Sequence, residues 1–317
     1  MSRNYIILSL LLVLVSFLFA STFFIPTTID FSDLSIYYQL RIPKYGIAFI
    51  AGGSLAIAGY ISQLLLNNPL ADPYVLGISG GAGITINLAI YMGLPMFAFG
   101  FFMPYIYASL GSLAVALLLF IKLKNYSQSI SSVLLFGLSI NFFASACVSL
   151  FIYLSEDSNM VRDISFWFMG SYNKVSYTDF VFVAFIVGLL LVYVQTQRVK
   201  LYQLHLGIRR IQELGIDTKK TFISGIAIIV LLSAIIVSSC GPIGFVGLIV
   251  PHMIRNFNFK PNLLFPITFL AGGILTLFAE LLSSVLFKQS LPPGVVTAML
   301  GIPIFVYLLS NKYRFHI

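Results

Sequence analysis

Ten apolar runs follow one another along this 317-residue chain, most of them near the length at which a helix crosses a bilayer. They cover roughly Tyr5–Ile25, Tyr45–Leu66, Tyr74–Met92, Met103–Leu123, Ile130–Leu154, Thr178–Gln197, Thr221–Cys240, Phe245–Phe257, Asn262–Leu286 and Gly294–Ser310. The chain is 59% hydrophobic and only 9% charged, against about 25% charged residues in an ordinary soluble domain. The sequence therefore predicts an all-α polytopic membrane protein with about ten transmembrane helices, in one domain over residues 1–317. Arg3 precedes the first run as in a signal peptide. That run has no convincing small-residue cleavage site, so it is expected to be a retained span. Cys147 and Cys240 both fall inside apolar runs, which leaves neither a disulfide scaffold nor a cysteine-rich metal site.

An even number of spans puts both termini on one side. One face then holds Arg3, Lys122, Lys124, Arg198, Lys200, Arg209, Arg210, Lys219, Lys220, Arg255, Lys260, Lys312 and Arg314. The other holds Arg41, Lys44, Arg162, Lys174 and Lys288. The richer face, with both termini, is expected to be cytoplasmic by the positive-inside rule. The net charge of +8 is thus mostly topology and requires no nucleic-acid partner. The longest loops are Pro26–Lys44 and Ser155–Tyr177 outside, and Arg198–Lys220 inside. No phosphate-binding loop is present, so nucleotide-driven transport would need ATP and magnesium on another chain.

Two units of the chain are weakly alike. Tyr45–Leu66 runs into Asn68-Pro69-Leu70-Ala71-Asp72-Pro73 and a short Gly-rich helix, and Thr221–Cys240 runs into Gly241-Pro242-Ile243-Gly244-Phe245-Val246-Gly247 and another short helix. The two units enter from opposite faces, a weak inverted repeat of the kind found in transporters. In the second helix, Ala48, Gly52 and Ala56, and again Ser54, Ala58 and Ser62, form two rows of small residues. Such rows allow close neighbours on several sides, so the helix is expected to be central. In the fifth helix Gly137, Asn141, Ser145 and Ser149 recur every four residues, a polar stripe that serves either helix packing or a solute pathway.

Glu280 is the one carboxylate deep inside a predicted span, Asp179 standing at the very start of another, and a charge at mid-bilayer costs about 2.5–3.5 kcal/mol on insertion scales. It must face protein or water. A structural hydrogen-bonding role is favoured, because no second ionisable residue for a proton relay is evident nearby in sequence. His252 has no second ligand spaced to share an ion with it, so it reads as structural and no metal site is expected. Gly77-Ile78-Ser79-Gly80 matches the Gly-x-Ser-Gly pattern of rhomboid-type intramembrane proteases. Catalysis there would require Ser79 and His252 within hydrogen-bond reach, and they are expected near opposite ends of their helices.

Five ordered segments resemble the membrane permease subunits of ATP-binding-cassette importers for iron-siderophore, haem and cobalamin, the FecCD-type family. They are Arg41-Ile42-Pro43-Lys44; Gln63 through Asn68-Pro69-Leu70-Ala71-Asp72-Pro73 to Gly83; Trp167-Phe168-Met169-Gly170-Ser171; Gly241 through Gly247 to Pro251-His252; and Leu291-Pro292-Pro293-Gly294-Val295-Val296-Thr297-Ala298 with Gly301-Ile302-Pro303. The resemblance implies ten helices per permease, no catalytic residue in this chain, and a location in the bacterial cytoplasmic (inner) membrane. Its implied partners are a second permease subunit, identical or paralogous, two cytoplasmic ATPase subunits and an external substrate-binding protein. Ferric siderophore is the expected cargo as the family's largest group, with cobalamin and haem as alternatives.

The resemblance also assigns sites. Basic residues at Arg41, Lys44 and Lys288 would meet acidic residues of the binding protein. Gly207, Leu214 and Gly215 would carry coupling to the ATPase, although Ile208 and Arg209 stand where the family has an acidic pair. Ser129, Ser131 and Ser132 would form a cytoplasmic gate, with Asn141, Ser145 and Ser149 continuing the pathway wall above it. Two positions depart from the family: Glu280 stands where Asp is usual, and Ser284 where an Arg is common.

Overall fold

The computed structural model describes residues 3–21, 37–95, 97–98, 101–124, 130–155, 158–173, 175–204, 217–255, 257, 259–286 and 291–310. Among them are eleven α-helices: α1 (Arg3–Ser21), α2 (Ile42–Leu65), α3 (Ile78–Tyr91), α4 (Pro104–Lys124), α5 (Ile130–Leu154), α6 (Ser158–Met169), α7 (Tyr177–Gln203), α8 (Thr218–Cys240), α9 (Val246–Arg255), α10 (Pro261–Leu286) and α11 (Pro293–Ser310). A π-helical turn, Tyr37–Arg41, leads into α2, and a 3-10 turn, Pro73–Leu76, leads into α3. A two-residue hairpin pairs Phe97 with Phe102 and Ala98 with Phe101. Six helices are long and apolar enough to cross a membrane, with α3, α9 and the described parts of α1 and α11 shorter. Ten of the eleven helices correspond to the ten predicted runs.

The exception is α6, which lies in the stretch expected to be a loop. Ser158, Asn159, Arg162 and Asp163 lower its hydropathy below that of a span, yet Ile164 is fully buried and Trp167 packs on the cluster of Ala82, Ala108 and Val237. It is an amphipathic helix folded against the bundle, and its burial depends on a face three to four residues in period, not on total apolarity.

α2 forms the axis. Of its most apolar stretch, 89% is buried, against 17% for α7, whose Phe182, Phe185, Leu189 and Val192 face outward. The row of small residues on α2 explains how α10 comes so close. A methyl on Gly52 would overlap the Gly272 carbonyl, and Thr276 donates its hydroxyl to the Ala48 carbonyl at 2.7 Å. The expectation of a central second helix is borne out.

At about 1.5 Å per residue, α3 is about 21 Å long and α9 about 15 Å, both shorter than a hydrocarbon core of about 30 Å. Neither spans alone, so the breaks before them lie within the bundle. They meet against the middle of α2: a Cβ on Gly247 would fall 3.1 Å from the Leu55 carbonyl and 2.8 Å from Pro73, and one on Gly59 would overlap the Gly247 carbonyl. Gly241, at φ 75° and ψ 178°, makes the sharp exit from α8. A side chain is strained in that left-handed region. The two related units of the sequence are thus packed break to break.

Gly59→Leu should prevent recovery of monodisperse protein in detergent, because the clash is with backbone that cannot rotate away and overpacking costs about 1–3 kcal/mol or more. Gly188→Leu in α7, where nothing lies within 4 Å of an added Cβ, should be recovered at the parental level.

Candidate functional site

The polar stripe of α5 faces a cavity of about 330 Å³, lined by Ser79, Gly80, Asn141, Ala144, Ser145, Val148, Ser149, Phe168 and Pro242. Three sources build its wall. α3 begins at the cavity because Gly77, at φ 85°, turns the chain out of the 3-10 segment. α5 contributes successive turns, since residues four apart share one face. The third source is chain from outside these two helices, Phe168 of α6 and Pro242 of the second break. Among the described residues no ionisable side chain lines the space, and its three hydroxyls and one amide are set in a mostly apolar wall.

The two readings of the α5 stripe, packing and pathway, divide by residue. Asn141 Nδ2 donates to the Tyr74 carbonyl at 2.9 Å, which ties α5 to the first break, and Gly137 lets α5 close on Val75 and Leu76. Ser145 and Ser149 lie exposed at the cavity wall. Asn141 therefore serves both packing and wall. Of the gate residues, Ser129 and the side chain of Ser131 lie outside the described residues, and Ser132 is half-buried in the first turn of α5. One uninterrupted helix carries Ser132 and the cavity-facing residues.

Phe168 lines the cavity and is not among the site residues read from the sequence. The signal available was the spacing of Val161, Ile164 and Phe168, which puts three apolar side chains on one helical face. α6 stacks its Trp167 edge-on to Phe168 at 5.2 Å and sets Phe168 against Gly83, where a larger residue would collide with the ring.

Of the three basic residues expected to meet a binding protein, Lys44 is held by a carboxylate of this chain. Lys44 Nζ lies 2.8 Å from Glu280 Oε1, with the glutamate side chain 2% exposed. Lys44 also donates to Ser284 Oγ at 3.4 Å, and Ser284 donates to Glu280 Oε1 at 3.5 Å. Glu280 thus has the ionisable neighbour that sequence proximity did not reveal, because Lys44 is brought to it by the α2–α10 contact. The expectation that no second ionisable residue lies near Glu280 is therefore corrected. Next to it, Ser283 Oγ accepts from the Leu291 N–H at 2.7 Å and fixes the approach to α11. Lys44 ammonium is therefore engaged within the chain, and Arg41 stands half-buried at the end of the π-helical turn. Lys288 lies outside the described residues.

Gly207, Leu214 and Gly215 also lie outside the described residues, but both ends of their segment are fixed. On one side Arg198 Nε donates to Asn262 Oδ1 at 2.8 Å and Gln195 Nε2 to the Asn262 carbonyl at 3.0 Å, joining α7 to α10. On the other, Asp217 caps α8 by accepting from the Lys220 N–H at 3.0 Å. That bond and the Lys220 ammonium hold the exposed Asp217 carboxyl below its ordinary value. Among the described residues no three His, Cys, Asp or Glu side chains converge on a metal position. His252 is buried in α9 and does not line the cavity at Ser79.

A buried axial helix, two short helices whose breaks meet at its middle and a cavity beside them suit a membrane transport component, and the similarities that follow place the chain among ABC transporter permeases. The sequence matches the FecCD transport family over residues 5–311, and the chain belongs to that family. It is 32% identical over 316 residues to the vitamin B12 import system permease protein BtuC of Vibrio vulnificus, covering 98% of this chain and 92% of the relative. It is also 32% identical over 286 residues to the hemin transport system permease protein HmuU of Yersinia pestis, covering 87% and 84%. A solved ABC transporter assigned to the metal-chelate type, in an inward-facing conformation, superposes with a TM-score of 0.84 at 26% identity, covering 96% of this chain and 99% of that one. The protein is a transport component and not an enzyme, and the intramembrane-protease reading of Ser79 is set aside.

Breaking the Lys44–Glu280 pair from one side strands a buried carboxylate, at a cost of about 3–5 kcal/mol. Lys44→Met should therefore lower the unfolding temperature in detergent, and the exchange of both residues, Lys44→Glu with Glu280→Lys, should recover most of the loss. An exchange no more stable than the single variant would show that the pair is not what Lys44 contributes.

Proposed function

We propose that this chain forms one half of the translocation pathway of an ATP-driven importer of metal chelates, in the bacterial cytoplasmic membrane with both termini inside. The observation that carries the reading is the cavity walled by Asn141, Ser145, Ser149 and Phe168, in a chain whose relatives include permeases for vitamin B12 and hemin. At about 330 Å³ the space suits one side of a path completed by a second permease subunit. Two ATPase subunits would hold ATP and magnesium and dock on the segment containing Gly207, Leu214 and Gly215. A substrate-binding protein would dock on the opposite face, with Arg41 and Lys288 as the basic residues that meet its carboxylates. Ser129, Ser131 and Ser132 would close the cytoplasmic end, because small hydroxyl side chains on two apposed α5 helices can separate without a large desolvation cost.

Ferric siderophore, haem and cobalamin are three cargoes of one chemical class, large chelates whose metal is already coordinated. A mostly apolar wall with a few hydroxyls and one amide fits that class better than a free ion, which needs charged or carbonyl ligands. The reading is tested by reconstituting the assembled transporter in proteoliposomes with its binding protein and measuring ATP-dependent accumulation of ferrichrome, haem and cyanocobalamin. One of the three should accumulate, and Ser145→Trp, which fills the cavity, should reduce that uptake at least tenfold while leaving assembly intact. Uptake without ATP, or uptake unaffected by Ser145→Trp, would overturn it.

Charge reversal at Arg41 should weaken docking of the binding protein and steepen its salt dependence, because exposed charge pairs steer association. Titrating the binding protein onto the complex across a salt series measures this directly, and an unchanged affinity would remove Arg41 from the docking surface.

A further inference from the structure

Tyr74 joins three parts of the molecule through three hydrogen bonds. Its main-chain N–H donates to Asp72 Oδ1 at 2.8 Å, which caps the 3-10 turn. Its carbonyl accepts from Asn141 Nδ2 at 2.9 Å, on the cavity face of α5. Its phenol oxygen accepts from the main-chain N–H of Ile243 at 3.1 Å, in the break between α8 and α9. The ring packs with Trp167 against Ala82, Ala108 and Val237.

Each bond answers a local need. Ile243 is 1% exposed and lies outside any helix, so its N–H has no partner in a helical ladder. A buried main-chain donor must find an acceptor, most of all in a membrane protein. The Tyr74 carbonyl belongs to a short 3-10 turn and has a lone pair to offer Asn141. One residue thus links the cavity wall, through its main-chain carbonyl, to the second helix break, through its phenol. Among the described residues, no other hydrogen bond joins the segment 73–76 to the segment 241–245.

We propose that Tyr74 is a positioning residue that transmits movement between the cavity wall on α5 and the α8–α9 junction, acting through Asn141 and Ile243. This rests on the reading of the cavity as the pathway. A shift of α5 pulls on the Tyr74 carbonyl, and the phenol at the other end carries the displacement to Ile243. The break in α8–α9 then moves with the wall and not independently of it.

The test uses the full transporter with its ATPase subunits in lipid nanodiscs, compared without nucleotide and with ATP and magnesium. Hydrogen exchange should change together in residues 73–76 and 241–247 of the parental complex. Tyr74→Phe removes only the phenol oxygen and keeps the ring in its apolar cluster. In that variant the nucleotide-dependent change at 241–247 should disappear while that at 73–76 persists. Solute accumulated per ATP hydrolysed should fall about five- to tenfold, the scale set by one lost hydrogen bond with its donor left buried. Hydrolysis itself should stay within about twofold, because the ATPase sites lie on other chains. A purely structural role would instead lower uptake and hydrolysis in proportion and abolish neither exchange response, and that result would overturn the proposal. Segments 73–76 and 241–247 responding independently in the parental complex would overturn it without any variant. If Ser145→Trp fails to block uptake, the pathway reading fails. If Ser145→Trp blocks uptake and Tyr74→Phe keeps full coupling, only the role of Tyr74 fails.

Discussion

A helix interrupted inside a membrane exposes main-chain N–H and C=O groups that water cannot reach, and each unsatisfied group costs several kcal/mol. The architecture of this protein follows from that constraint. Its two short helices, α3 and α9, begin from breaks that meet against the middle of α2, where protein groups take the place of water. Asp72 caps the first break, the Tyr74 phenol accepts from the second, and the Gln63 amide donates toward the carbonyls of Gly247 and Leu248 at 3.3 and 3.4 Å. This arrangement requires α2 to be almost side-chain-free at Gly52 and Gly59. Any bulk there would separate the elements whose polar groups satisfy one another.

The cavity is a consequence of the same breaks. Because α3 starts within the bundle, its first turn and the adjoining α5 stripe border a space that a full-length helix would have filled with side chains. Its wall is built from Ser79, Asn141, Ser145, Ser149 and Phe168. The Lys44–Glu280 pair meets the same problem with charge. A buried carboxylate is tolerated when an ammonium and a hydroxyl share it, and the pair then pins the start of α2 to the late turns of α10.

How much of this was legible in the sequence depends on whether the signal is local. The fifth span, Ile130–Leu154, was read with the bounds it has, and the other nine were found to within several residues, because hydropathy reports span length directly. The centrality of α2 was legible because two rows of small residues at four-residue spacing let neighbours pack closely on more than one side of it. α6 was not legible as a helix, since its polar residues hide an amphipathic period in a segment that resembles a loop. The partner of Glu280 was not legible either. Lys44 lies in another helix, and only the close α2–α10 packing brings it within 2.8 Å. Similarly, nothing in the spacing of Asn141 distinguished a wall residue from a tie to the Tyr74 carbonyl, and it is both.

The central claim is that the α5 stripe faces water and cargo, not lipid. Cysteine accessibility in the assembled transporter tests it most directly, in a Cys147→Ala background with Cys240 left in its buried position. Ser145→Cys and Ser149→Cys should react with a membrane-impermeant thiol reagent, at rates that change when ATP and magnesium are added. Leu189→Cys on the outward face of α7 should stay unreactive under every condition. Silence at residues 145 and 149 in all nucleotide states, or reactivity equal to that at 189, would contradict the account.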